Sequence, residues 1–196
     1  IVNPIATYGS TELVKVTENG MSQLVKYYSG RDKTDDDIAR WKYEYQITKN
    51  NGLHCLLTPT KFINEQQQLA IYFTDADGVS LGELIQQKTL NEQQKITLAL
   101  NIINALTQLH ENNVIHRNLN LNGVLVDPTT LTVKFIDLTL GTAHNASQLS
   151  QSSLTYWQCW DYLAPELTGR TRLNIDHRTD IYVLGCIFYH LFSNKK

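Results

Sequence analysis

No strong charge of either sign, no cysteine framework and no apolar run of membrane length can be found in this sequence, and each absence removes a class of function. Of 196 residues, 17 are Lys or Arg and 19 are Asp or Glu, for a net charge of −2. That balance leaves no electrostatic footprint for nucleic acid and no polybasic patch for anionic lipid. The three cysteines, Cys55, Cys159 and Cys186, form neither a C-x-x-C pair nor an even set. Their spacing argues against a disulfide-stapled fold and a zinc site, and fits a reducing, cytoplasmic setting. The longest apolar stretch, IYVLGCIFYHLF at residues 181–192, falls short of the ~20 residues that span a bilayer. It reads as a buried helix, one that would leave an apolar face uncovered. No signal peptide opens the chain, which begins at Ile1 rather than methionine, so it reads as a fragment of a longer protein.

What remains is ordinary globular material, 42% hydrophobic, enough for one sizeable core or two small lobes. Two textures divide it. Residues 5–17 and 22–29 alternate apolar and polar side chains around Glu18-Asn19-Gly20, which predicts a hairpin. In residues 34–48, Ile38, Trp41, Tyr45 and Thr48 recur at helical steps, and Lys49-Asn50-Asn51-Gly52 is a stop signal. Residues 56–60 and 69–73 read as two further strands. Beyond a connector at 75–78 the pattern turns helical, with a short helix over 80–87 and a long one over 91–112. Ile96, Leu100, Ile103, Leu106 and Leu109 mark its apolar side. Short strands follow at 124–126 and 133–136, and the polar stretch 144–153 reads as a mobile loop. The whole predicts an α+β fold whose two halves flank a ligand cleft.

Four short motifs stand in order along the second half. They are Val114-Ile115-His116-Arg117-Asn118-Leu119, Asp137-Leu138-Thr139, Ala164-Pro165-Glu166 and Asp180-Ile181-Tyr182-Val183-Leu184-Gly185. Order and spacing resemble the H-R-D-L-x-x-x-N catalytic loop, the D-F-G and A-P-E motifs and the following helix start of protein kinases. The resemblance covers nearly the whole chain. It implies a single kinase-like domain over 1–196, with a small β-rich N-lobe (about 1–74), a hinge (about 74–78) and a helical C-lobe (about 79–196) truncated at its end. Thr168-Gly169-Arg170 and Asp176-His177-Arg178-Thr179-Asp180 narrow the likeness. They resemble the N-terminal kinase domains of large bacterial sensor proteins that carry an ATPase module and a histidine kinase downstream.

The resemblance assigns roles residue by residue. Lys26 takes the place of the lysine that grips the α/β-phosphates, and Glu44 that of its ion-pair partner. Gly9 lies in the phosphate-covering loop, Thr74 and Ala76 offer backbone groups to adenine behind the bulky Phe73, and Asp137 is a candidate Mg²⁺ ligand. Arg117 is expected to brace the loop after Asp137, His116 to pack beneath the metal motif, and Asp180 to cap a helix and bond back to the catalytic loop. Trp157, Trp160 and Tyr162 bracket the segment before Ala164-Pro165-Glu166, where kinases build their substrate floor, and read either as core packing or as a peptide- or domain-binding surface.

Several working parts are altered. Asn118 stands where the family's proton-accepting aspartate belongs, and an amide has no protonation step near neutral pH. Asn120 replaces a lysine beside the γ-phosphate, removing a positive charge from a site of developing negative charge. Gly123 replaces the metal-binding asparagine, with Asn122 as the neighbour that substitutes if the loop shifts. Thr139 replaces the glycine of D-F-G, and residues 6–12 hold one glycine where the family pattern has three, beside the like charge of Glu12. Two readings follow. One is a pseudokinase, a regulatory or docking domain in signal transduction that acts on other domains of its own polypeptide or on a signalling protein, with ATP and Mg²⁺ as ligands of a weakened site. The other is an active Ser/Thr protein kinase within a multidomain sensor.

Overall fold

The structure, a computed structural model, describes residues 2–8, 10–18, 20–30, 33–50, 52–65, 68–74, 78–138, 140–143, 160–168 and 174–193. The chain divides into two compact units, Ile1–Asp77 and Gly78–Lys196, the first rich in strand and the second in helix. That is the α+β class expected from the sequence.

The first unit is built on β1 (Val2–Tyr8), β2 (Thr11–Glu18), β3 (Met21–Tyr28), β4 (Pro59–Glu65) and β5 (Gln68–Phe73), with α1 (Asp35–Asn50) between β3 and β4. The strands form one antiparallel sheet in the order β1-β2-β3-β5-β4. Where one strand was expected over 5–17 there are two, because the chain turns at Ser10 and pairs Tyr8 with Thr11. The strand expected at 56–60 begins only at Pro59, since Leu56 and Leu57 are buried ahead of the ladder. Thr34 starts α1: its hydroxyl accepts from Asp37 N (3.2 Å) while the Asp37 carboxylate accepts from Thr34 N (3.0 Å). This reciprocal cap, with Asp35 and Asp36 beside it, places negative charge at the positive end of the helix. The predicted stop signal is overrun by two residues, Lys49 and Asn50. Trp41 and Leu13, Leu24, Leu69, Ile71 and Phe73 from the sheet are buried together as the core of this unit.

The second unit contains β6 (Val79–Ser80), α2 (Leu81–Gln87), α3 (Glu92–Glu111), β7 (Val114–Ile115), β8 (Val124–Val126), β9 (Val133–Phe135), β10 (Thr142–Ala143) and α4 (His177–Ser193). β6, β8 and β9 form one small sheet, and β7 pairs with β10 in another. Gly78 enters β6 at φ 131°, and a Cβ there would lie 2.7 Å from the Val126 carbonyl oxygen, so the approach demands glycine. Ser80 caps α2 through Glu83 N (3.2 Å), and Asn91 with Gln94 closes a capping box on α3. The Asp127 carboxylate folds the β8–β9 turn by accepting from Thr129 N and Thr130 N, bonds that hold it below the usual carboxylate range.

The apolar side assigned to α3 from spacing needs correction. Leu98, Ala99, Ile102, Ala105, Leu106 and Leu109 are buried, whereas Ile96, Leu100 and Ile103 are 48%, 55% and 38% exposed. The helix carries apolar residues on two sides, and contact with β7, β9 and α4 selects the stripe that begins at Leu98. On α4, Ile181, Tyr182, Tyr189 and Phe192 remain exposed, an uncovered apolar face as expected. No helix among the described residues is long and apolar enough to cross a membrane. Residues 144–153 and Trp157 lie outside the described residues.

Replacing Leu98 or Ile102 with alanine should lower stability by about 2–5 kcal/mol, while Ile96→Ser and Leu100→Ser should stay within about 0.5 kcal/mol. Urea unfolding of the four variants checks this, and the opposite ranking would restore the spacing-based face.

Candidate active site

Each unit holds one cluster of its own. In the first, Lys26 lies on β3 opposite Leu13 of β2 and Ile71 of β5, so its neighbours across the ladder are core residues. Its ammonium donates to Glu44 Oε2 of α1 at 2.5 Å, and both side chains are at most 1% exposed. The expected pair is therefore formed, and it is dry. Trp41 stands one helical turn before Glu44, and its ring centroid is 4.8 Å from Lys26 Nζ. Tyr28 meets the same indole edge-on. A buried ammonium is thus compensated twice, by a carboxylate and by an aromatic face.

Other first-unit assignments fare differently. The Glu12 carboxylate accepts from the Tyr27 hydroxyl directly across the β2–β3 ladder, a bond that raises the phenol above its usual range. Thr74 donates its backbone N–H to Thr58 O at 3.0 Å, so that donor is used within the unit and only its carbonyl remains to meet a base edge. Gly9 and Ala76 lie outside the described residues, as does Thr139.

The second cluster is the loop after β7. His116 N and Arg117 N both donate to the Asp180 carboxylate at 2.9 Å, and His110 Nε2 meets the same group at 2.8 Å. Arg117 adopts φ 63°, a left-handed conformation that turns two consecutive N–H groups toward one anion. Asp180 is fully buried in the first turn of α4. The cap of that helix is Asp176 rather than Asp180: its Oδ1 accepts from Arg178 N (2.8 Å), and the Arg178 guanidinium holds its carboxyl at about 2. His116 packs edge-on against Phe135 and is fully buried, which pushes its imidazole below the usual range against the pull of Asp180 and Asp137. It is a neutral packing residue. Glu166 accepts from the Thr179 hydroxyl at 2.6 Å, and Tyr162 lies 5.8 Å from the His190 ring of α4.

Beyond Arg117 the loop brings together the residues that carry the chemistry. Asn118 Nδ2 donates to Asp137 Oδ2 at 2.6 Å. The carboxylate only accepts, so the amide turns its NH₂ to it. Asp137 is buried and left-handed, at φ 65°. Asn120, also buried, is a brace: its Nδ2 donates to Asn118 O (2.9 Å), and its Oδ1 accepts from Asn122 N (2.9 Å) and Gly123 N (3.0 Å). The Asn122 side-chain oxygen lies over Gly82 at the start of α2, 3.1 Å from where a Cβ would stand. A Cβ at Gly123 would meet nothing closer than 3.5 Å, ordinary van der Waals contact. Gly123 O in turn accepts from Ile136 N (3.0 Å), tying the loop to the segment that presents Asp137.

Sequence reasoning missed three of these features. Trp41 was legible only as a helical core residue, although its spacing to Glu44 places both on one face. Asn120 was read as a lost lysine, and its three bonds were invisible. His110 carried no signal beyond its place near the end of α3.

The protein kinase domain family model matches residues 6–196. Serine/threonine-protein kinase TIO of Arabidopsis thaliana is 25% identical over 176 residues, covering 90% of this chain and 13% of that protein. Probable serine/threonine-protein kinase PknB of Lactococcus lactis is 29% identical over 164 residues, 82% of this chain and 26% of that protein. Mitogen-activated protein kinase kinase kinase 5 of Homo sapiens is 25% identical over 199 residues, 96% of this chain and 14% of that protein. The chain thus spans from about an eighth to a quarter of the length of these relatives.

Breaking the buried pair from one side should be costly. Glu44→Gln should destabilise by about 3–5 kcal/mol, because it strands a buried ammonium, and Lys26→Met together with Glu44→Leu should cost less than the two single changes summed. A double-mutant cycle by chemical denaturation reads this out; additive losses would mean that the two groups do not depend on each other.

Proposed function

The chain belongs to the protein kinase domain family, and we propose that within it this domain is a pseudokinase, a binding and regulatory module that does not transfer phosphate at enzymatic speed. The observation that carries the reading is the bond from Asn118 to Asp137. Transfer requires a group that takes up the proton of the attacking hydroxyl, and a loop that gathers positive charge around the phosphates. The residue at the first position is an amide. It can orient a hydroxyl by hydrogen bonding, but it has no lone pair basic enough to accept the proton. Around it, Asn120 supplies no charge and Gly123 no oxygen ligand. Losing the base alone typically lowers the rate 10²–10⁴-fold, and the missing charge acts in the same direction.

On this reading the retained parts serve conformation. The Lys26–Glu44–Trp41 cluster sets α1 against its sheet, and the Asp180 clamp sets the loop after β7, so the domain presents a kinase-like surface without kinase chemistry. Its output is contact with other domains of the same polypeptide or with a signalling protein in the cytoplasm, and ATP is the nucleotide that the weakened site would take. The second reading, an active Ser/Thr kinase in a multidomain sensor protein, is favoured by the similarity to two proteins named as serine/threonine-protein kinases and by the formed Lys26–Glu44 pair.

Transfer from γ-labelled ATP to the domain itself and to a generic protein acceptor separates the two. Wild type should fall at least ~10²-fold below the usual 1–100 s⁻¹ of protein kinases. Turnover within that range, abolished by Asp137→Asn, would overturn the pseudokinase reading.

A further inference from the structure

We infer that Asn118 takes the place of a divalent cation at Asp137, so that the loop is set, and any nucleotide is held, without Mg²⁺. The inference rests on reading residues 118–137 as a silenced transfer site, and it concerns what replaced the metal.

Protein kinases hold Mg²⁺ between phosphate oxygens and two side chains, which in this sequence fall at 137 and 123. Only the first is a ligand type here. Asp137 is buried, and its Oδ2 already accepts a 2.6 Å bond from the Asn118 amide, short enough to be charge-assisted. Gly123 has no side chain. The other amide oxygens of the loop are turned elsewhere: Asn120 Oδ1 is taken by two backbone N–H groups, and Asn122 Oδ1 lies over Gly82. Mg²⁺ demands near-octahedral oxygen ligands and gives up its water reluctantly. One carboxylate, already facing an NH₂ group that carries partial positive charge, is a poor offer. The residues present do not fit the metal.

The same geometry explains why the amide is more than a loss. An aspartate at 118 would put two carboxylate oxygens at hydrogen-bond distance beside a buried group. Like charges that close cannot both remain ionised without a cation or a proton between them. The amide removes one of the two charges and bonds the other, so Asp137 keeps its left-handed backbone and its connection to the loop with no ion present. Asn120 completes the arrangement by fixing the backbone of 118–123 from within.

The test is the thermal unfolding midpoint of the whole chain in EDTA and in millimolar MgCl₂ or MnCl₂, with and without ATP. Wild type should keep its midpoint within about 1 °C when the cation is added, and any shift caused by ATP should be the same in EDTA as in Mg²⁺. Asn118→Asp should unfold earlier in EDTA and recover by about 3 °C or more when Mg²⁺ or Mn²⁺ is added. If that variant does not fold, Asn118→Ala, which takes the amide donor away from the Asp137 carboxylate, should unfold earlier than wild type in EDTA and gain more from Mg²⁺ or Mn²⁺ than wild type does. Cation-dependent stabilisation of wild type, alone or only with ATP, would overturn the inference; so would a folded Asn118→Asp whose midpoint ignores the cation. If wild type shows no ATP shift in either buffer, nucleotide binding fails as a reading, and the cation response of the two variants still decides this inference. Running the labelling assay in both buffers separates the failures again, since transfer in Mg²⁺ alone sinks both readings, whereas transfer persisting in EDTA sinks only the silenced site.

Discussion

Asp180 sits fully buried in the first turn of α4 and takes hydrogen bonds from His116 N and Arg117 N, with His110 against the same carboxylate. A buried charge is tolerable only when its lone pairs are filled, and here two backbone N–H groups and the His110 ring meet them. Satisfying Asp180 forces Arg117 into the left-handed region, a conformation costing roughly 1–2 kcal/mol for a residue with a side chain. That turn directs residue 118 toward the strand end that carries Asp137. The position of everything chemical in the second unit follows from this constraint.

The molecule therefore separates scaffold from chemistry. The clamp of Asp180, the left-handed Asp137, the bond from Ile136 N to Gly123 O and the dry Lys26–Glu44 pair all belong to the scaffold, and all are formed. The substitutions fall on the groups that would meet phosphate or proton. Asn118 and Asn120 do not merely vacate their positions; each makes bonds that the loop now uses. The amides of the loop are bonded where unpaired ones would cost about 1–3 kcal/mol each, although His116 Nε2 is buried without a hydrogen-bond partner.

Much of this was legible in the sequence, because motif spacing encodes backbone constraints. His116-Arg117, Asp137 and Asp180 could be placed from order alone, and Lys26 and Glu44 could be paired because a strand and the helix after it put both on predictable faces. The phase of α3 could not be read, since Ile96, Leu100 and Ile103 keep helical spacing as well as the buried stripe does, and only tertiary contact distinguishes them. The role of Trp41 was hidden because an indole in a helix reads as core, and its attraction to Lys26 depends on where the strand lies. The bonds of Asn118 and Asn120 were hidden for a related reason: a departure from a motif shows what is missing and not what the new side chain reaches.

The central claim is that the scaffold for transfer stands while its reacting groups are gone, and restoring those groups tests it most directly. The measurement is label transfer from ATP with Mg²⁺ by an Asn118→Asp, Gly123→Asn double variant, since a Cβ at Gly123 meets only ordinary contacts. The account predicts transfer at least ~10²-fold above wild type, lost again when Asp137→Asn is added. A double variant that unfolds as cooperatively as wild type, yet labels no more than wild type does, would contradict it.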